Sequence, residues 1–156
     1  MWKRPKNKFI MNHFPLPPVT LIASLMLSWL IMQFFPLGEL PIDSWWGIAL
    51  IGAGLVLFMW AIPLFKKHAT TIEPRGTPSA LIAEGPYKFS RNPIYVGYIL
   101  IALGIVVLVN DWVMLIAPLV FLSVVNWVVI PYEEEMLDAE LGDAYRSYRA
   151  RVRRWL

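Results

Sequence analysis

The chain has no cysteine and only two histidines in 156 residues. Disulfides, thiolate metal sites and a cysteine nucleophile are excluded, and a histidine-rich metal centre is disfavoured. Charge is scarce too. Asp, Glu, Lys and Arg make up 16% of the chain, against about a quarter in ordinary soluble domains. What takes their place is apolar: 58% of residues are hydrophobic and the mean hydropathy is +0.55. That excess does not fit inside one soluble core of this length, so a disordered chain, a disulfide scaffold and an ordinary soluble enzyme are all ruled out. The length allows a single domain. A net charge of +3 and a pI near 9.3 would suggest nucleic acid as partner of a soluble protein. In an apolar chain the placement of the charges matters more, and no nucleic-acid partner is expected.

The charges are segregated. Four stretches, 16–35, 45–65, 94–109 and 112–130, contain no Asp, Glu, Lys or Arg. A helix needs about 20 apolar residues to cross a bilayer, within a range of about 17–25. The third stretch is short, so its helix starts a little earlier or crosses a thinned region. The expected fold is all-α and integral to the membrane, with four transmembrane helices. The fourteen bases all fall on one side of these spans. Lys3, Arg4, Lys6 and Lys8 precede the first, and Lys66, Lys67, Arg75, Lys88 and Arg91 lie between the second and third. Arg146, Arg149, Arg151, Arg153 and Arg154 follow the fourth. The opposite connections carry Glu39, Asp43 and Asp111 and no base. The positive-inside rule then places both termini and the 66–93 loop in the cytoplasm. The basic start resembles a signal peptide, but the apolar run is too long and no small-residue cleavage pattern ends it, so a retained helix is expected.

Polar sequence is concentrated in the 66–93 loop and the 132–156 tail. Pro74, Pro78, Pro86 and Pro93 oppose a continuous helix in the loop. A short helix is expected over 79–84, capped by Ser79 and stopped by Gly85-Pro86. Pro93 suits the first turn of the third span, with Ser90 or Asn92 as its cap. A helix start there offers free N–H groups to an anion. The bland alternative is that Lys88 and Arg91 only mark the membrane boundary, with Tyr87 and Tyr95 as interfacial anchors.

The tail opens with Glu133-Glu134-Glu135 at the negative cytoplasmic leaflet, where nothing about insertion favours acids. They call for a cationic partner, either an arginine of the loop or a charged ligand. A solvated first helical turn is the competing reading. Leu137, Leu141, Tyr145, Tyr148, Val152 and Trp155 recur at helical spacing, which predicts an amphipathic helix bent at Gly142. Asn126 in the fourth span is suited to a hydrogen bond between helices or to facing the pocket. Gly47, Gly52 and Gly54 read as close-packing positions. His68 reads as an interfacial residue beside Lys66 and Lys67, and His13 as incidental.

Together the two polar pieces resemble the isoprenylcysteine carboxyl methyltransferases and the related phospholipid methyltransferases. The first pattern is Gly85-Pro86-Tyr87-Lys88, Arg91-Asn92-Pro93, Tyr95 and Gly97. The second is Glu133-Glu134, Leu137, Leu141-Gly142, Tyr145 and Tyr148. Either is moderately specific alone; the two in order, one helical hairpin apart, are far more so. The resemblance covers about 70–156. It departs at Asn92, where the commonest form of the family has His, and Asn cannot serve as a base.

The resemblance implies S-adenosyl-L-methionine as cofactor and S-adenosyl-L-homocysteine as product. The implied cofactor pocket is Gly85, Tyr87, Arg91, Asn92, Pro93, Tyr95, Gly97, Glu133 and Glu134, with Arg91, Asn92 and Glu134 as its catalytic members. Tyr145, Tyr148 and Arg149 are the positions expected to meet the methyl acceptor. The acceptor would be lipophilic: an isoprenylcysteine-like carboxylate, a lipid amine or a thiol. No metal is expected. The enzyme would sit in a bacterial inner membrane with its site facing the cytoplasm. Two other classes compete. A transporter usually needs an ionisable group inside the membrane, and these spans hold none. A noncatalytic scaffold has no need of the Glu-Glu and Arg-Asn-Pro constellation.

Overall fold

The structure, a computed structural model, describes residues 16–71, 76 and 78–156. The basic N-terminal arm, His13 and Arg75 lie outside the described residues. Among those described, all regular structure is helical, without strands. Helix α1 is Pro17–Phe34, α2 is Trp45–Lys67 and α3 is Pro93–Val109. A 3-10 turn at Trp112–Leu115 leads into α4, Ile116–Val124. A π-helical turn, Val125–Val129, joins α4 to α5, Ile130–Arg151. Helices α1 and α2 and the uninterrupted run Trp112–Arg151 are long and apolar enough to cross a membrane, and α3 is a shorter apolar helix. Three to four spans are therefore supported, against the four expected.

The helix of the fourth apolar stretch continues beyond that stretch into the acidic segment. Pro131 lacks the N–H that would reach back to the carbonyl of Trp127, and its ring would press on that carbonyl. The wider π turn opens the backbone at this point and lets the helix continue into the acidic segment. The break comes later. Gly142 has φ 51° and ψ −125°, a combination open to glycine and strained for other residues, and it kinks α5.

The chain divides into two compact units, Leu16–Val56 with Tyr95–Val125, and Leu57–Ile94 with Asn126–Leu156. In the first, α1 packs against α4 and the 3-10 turn before it. A cluster of Leu40, Val106 and Met114 is extended by Leu25, Met32, Ile105 and Leu115. Glycines set the approach of α2 to α3. A Cβ on Gly47 would lie 2.7 Å from the Gly104 carbonyl oxygen, and one on Gly54 would lie 2.7 Å from that of Gly97. Both pairs allow backbones to touch, as in membrane helix packing. Gly52 meets nothing within 4 Å, so the expected packing role is not seen there. Asp111 is buried and accepts from the backbone N–H groups of Leu37, Gly38 and Val113, which ties the α1–α2 connection to the turn before α4.

The second unit is built on the end of α2. That helix closes in a Schellman arrangement, with Thr70 N–H donating to Phe65 O at 3.0 Å and Ala69 N–H to Lys66 O at 3.2 Å. Ala69 takes the left-handed position, at φ 49°. The helix expected over 79–84 is absent. Ser79 does not cap it, because its hydroxyl donates to Ala69 O at 2.8 Å and its N–H to Thr70 Oγ1 at 3.1 Å. Irregular chain instead carries Ile82 into a cluster with Ala61 and Tyr87, backed by Leu64, Phe65 and Ile94. A 3-10 turn, Gly85–Lys88, follows.

Candidate functional site

The site lies in the second unit and starts from the short segment before α3. Ser90 is buried, and its hydroxyl accepts the Asn92 N–H at 3.1 Å. This local turn aims three donors at one stretch of tail backbone. Arg91 N–H donates to Arg153 O at 2.9 Å, Asn92 Nδ2 to Arg154 O at 2.9 Å, and Ser90 Oγ to Arg154 O at 3.3 Å. Tail carbonyls that bond here are not part of a helix. The amphipathic helix accordingly stops at Arg151, and Val152 is extended, at φ −116° and ψ 133°. The apolar stripe expected to continue through Val152 and Trp155 is therefore cut short.

Folding the tail back brings arginines to Glu134. This residue is 7% exposed on the first turns of α5. Its Oε1 meets Arg91 Nη2 at 2.9 Å and Arg154 Nε at 3.3 Å. Its Oε2 meets Arg154 Nη2 at 2.8 Å and Arg149 Nη2 at 3.8 Å. Arg154 thus engages both oxygens with two N–H groups, the fork geometry that makes arginine–carboxylate pairs strong. The cationic partner that the acids called for is supplied by the loop, as Arg91, and by the tail itself. Three guanidiniums around one carboxylate leave the centre with surplus positive charge. Arg91 Nε is buried with no hydrogen-bond partner, an uncommon state for such a donor.

Asn126 holds the arrangement from the π turn. Its Oδ1 accepts from Trp155 Nε1 at 3.2 Å and from Arg154 Nη1 at 3.4 Å. The hydrogen-bond role expected of Asn126 is met, with the tail rather than another span as donor. Arg154 and Trp155 were not singled out as site residues. One signal for them is present in the sequence, a polar Asn126 inside a charge-free stretch with an acceptor to satisfy.

The predicted tyrosines are less open. Tyr87 is buried, with its ring edge-on to Phe65 at 6.0 Å. Its carbonyl accepts from the Tyr148 hydroxyl at 2.8 Å. Tyr145 and Tyr148 are both buried, their rings 6.3 Å apart. Burial pushes the Tyr145 hydroxyl up to about 12, with the Glu134 charge adding to the effect. Burial likewise raises Tyr87 and Tyr148. All three remain neutral around pH 7, and the Tyr148 hydroxyl ties the tail to the loop. Gly85, at φ 58°, forms the turn ahead of Tyr87. Glu133 is half-buried next to Glu134. Pro93 opens α3, as expected. Tyr95 and Gly97 belong to the first unit, where Tyr95 is buried and the Gly97 carbonyl lies against Gly54.

A cleft of about 570 Å³ opens over Glu134, within the range of about 300–1,000 Å³ usual for small-molecule sites. It is lined by Pro131, by the acids Glu134, Glu135 and Asp138, and by Arg146, Arg149 and Arg154 paired among them. Arg146 is tied to Asp138 at 2.7 Å and Asp143 at 3.2 Å. Apart from the cleft, Glu84 links the loop to the end of α2 through Lys67 at 2.6 Å and His68 at 2.9 Å. Among the described residues no group of His, Asp and Glu is placed to hold a metal ion. The cleft suits a compact zwitterion, with a carboxylate to take a cation and arginines to take an anion.

These features define a helical membrane protein with a charged cleft beside a buried carboxylate. Residues 42–144 match the model of the family described as phospholipid methyltransferase, and the chain belongs to that family. A protein of Haemophilus influenzae described only as uncharacterized is 33% identical over 63 residues, which is 40% of this chain and all of that protein. The protein-S-isoprenylcysteine O-methyltransferase of Schizosaccharomyces pombe is 35% identical over 82 residues, half of this chain and 33% of that enzyme. No solved structure matches the chain.

Proposed function

We propose that the protein transfers the methyl group of S-adenosyl-L-methionine to a lipophilic acceptor drawn from the bilayer. The observation that carries the reading is the buried Arg91–Glu134 contact of 2.9 Å, whose carboxylate lines the cleft. It joins the two sequence patterns that resemble the family. Glu134 would receive the α-ammonium of the cofactor. Arg91, whose Nε has no partner, would turn toward the α-carboxylate. When bound, the cofactor supplies an electrophilic methyl carbon on a sulfonium, so the protein's task is orientation and charge placement.

Asn92 spends its amide on the Arg154 carbonyl, and an amide does not titrate. It serves as a positioning residue rather than a base. Acceptors that need no deprotonation, a carboxylate or a thiolate, therefore suit the site better than a protonated amine. Arg149, half-exposed at the cleft, offers a charge to an anionic head group. Glu133 adds acceptor capacity beside Glu134. The segregation of bases supports a cleft on the cytoplasmic side of the membrane, which in this reading is a bacterial inner membrane, with cofactor entering from the cytosol and acceptor from the lipid.

The test is binding of tritium-labelled cofactor to the detergent-solubilised protein. Wild type should bind, and Glu134→Gln and Arg91→Ala should each bind at least tenfold more weakly. Equal binding by all three folded proteins removes the assignment.

A further inference from the structure

The surroundings of Glu134 contain a cation that the proposed function does not use. Two arginines make short contacts with this carboxylate, and they differ in character. Arg91 is held from the loop with its side chain 10% exposed, whereas the Arg154 side chain is 30% exposed and lines the cleft. Arg154 contributes the only close contact to Oε2 among the described residues, at 2.8 Å, with Arg149 at 3.8 Å. Its backbone is fixed independently of its side chain, because the carbonyls of Arg153 and Arg154 are taken by the 90–92 segment. The guanidinium can therefore swing away from Glu134 while the tail stays in place.

The geometry points to Arg154 as a specificity-determining residue that fills the cation seat of the cleft until a cationic ligand replaces it. This rests on the reading that Glu134 receives the cofactor's α-ammonium. A carboxylate already forked by Arg154 accepts a new cation only by exchanging one charge-assisted contact for another. A ligand with an ammonium can make that exchange. A ligand without one leaves Arg154 in place. Arg154 thus lowers affinity for the cationic ligand, and it keeps Oε2 of Glu134 paired when the cleft holds none. That pairing matters because a buried unpaired carboxylate is costly.

Asn126 is the matching positioning residue. Its Oδ1 accepts from Arg154 Nη1 and from Trp155 Nε1, so the π turn that presents it also sets how firmly Arg154 stays. Loss of that acceptor should release Arg154 part of the way. The effect on binding should have the same sign as loss of the arginine and be smaller.

The experiment measures binding of two neutral-sulfur ligands by calorimetry in detergent. One is S-adenosylhomocysteine and the other its analogue lacking the α-amino group. Arg154→Gln should bind S-adenosylhomocysteine about tenfold more tightly than wild type, the scale of one charge-assisted hydrogen bond. Its affinity for the deaminated analogue should not change. Asn126→Leu should tighten S-adenosylhomocysteine by about threefold, again without effect on the analogue. Arg154→Lys, which keeps the charge but loses the fork, should fall between wild type and Arg154→Gln.

Unchanged or weaker binding of S-adenosylhomocysteine by Arg154→Gln and Asn126→Leu overturns the role of Arg154. The methyltransferase reading then stands, because wild type still binds. Equal tightening of both ligands also overturns it, since bulk rather than charge would then be what Arg154 contributes. If no variant and no wild type binds either ligand, the methyltransferase reading falls and this inference falls with it.

Discussion

In the unit formed by Leu16–Val56 and Tyr95–Val125, helices meet where side chains are missing. In the unit formed by Leu57–Ile94 and Asn126–Leu156, segments are held where side chains carry charge. The first relies on Gly47 against Gly104 and Gly54 against Gly97, with a buried Asp111 to fasten a connection. The second relies on Glu134 among arginines and on tail carbonyls bonded to the loop. Lipid offers no hydrophobic drive between apolar helices, so contact there depends on close backbones. At the polar end, irregular chain must find partners for every donor and acceptor. Charge is gathered where backbone is least regular. The segment before α3, the π turn and the extended tail all converge on one carboxylate.

The sharpest way to break this contrast is to remove the carboxylate. Glu134→Ala leaves Arg91 buried without its counter-charge, and loss of one member of such a pair costs about 3–5 kcal/mol. Thermal melting in detergent should show a large drop, and cofactor binding should vanish. An unaltered melting point would mean that Arg91 finds water, and that the second unit is not held by charge.

Next in size is the packing of the first unit. Gly54→Leu drives a side chain into the Gly97 carbonyl, and overpacking of this kind costs about 1–3 kcal/mol. Gly52→Leu, two residues earlier on the opposite face of the helix and in open space, should leave the melting point nearly unchanged. Equal effects at the two positions would remove the distinction between them. Gly142→Ala should cost a similar amount, about 1–3 kcal/mol, through backbone strain at the kink. It should also weaken cofactor binding, because Arg149 and Arg154 follow the kink.

Smaller still is Tyr148→Phe, which deletes the hydrogen bond to the Tyr87 carbonyl and should cost about 1 kcal/mol. The smallest expected effect is at Glu84. Its hydrogen bonds to Lys67, then His68, hold its carboxyl below the usual 4.5. As pH falls below 4.5 the unfolded chain takes up the proton first, so folding stability falls with it. The link contributes above that range and is lost as pH falls through the lowered value. Glu84→Gln should therefore melt slightly below wild type at pH 7, and the gap should close in acid.

Much of this protein was determined by its sequence alone. Charge-free stretches of bilayer length dictate apolar helices, because a backbone in lipid must satisfy its own hydrogen bonds. Pro93 marks the start of α3 and Gly142 the kink, since each is a local conformational constraint on a single residue. The pairs Arg91-Asn92 and Glu133-Glu134 were visible as chemistry out of keeping with their surroundings. What the tertiary structure decided is which charges meet. The helix predicted over 79–84 gives way to irregular chain because Ser79 bonds back to the end of α2 and Ile82 enters a core. The tail leaves its helical stripe because the 90–92 segment claims its carbonyls, some 60 residues away in the chain. That exchange delivers Arg154 to Glu134 and Trp155 to Asn126. Periodicity reads only neighbours along one helix, and a carboxylate's partners are set by which distant backbone groups bond first.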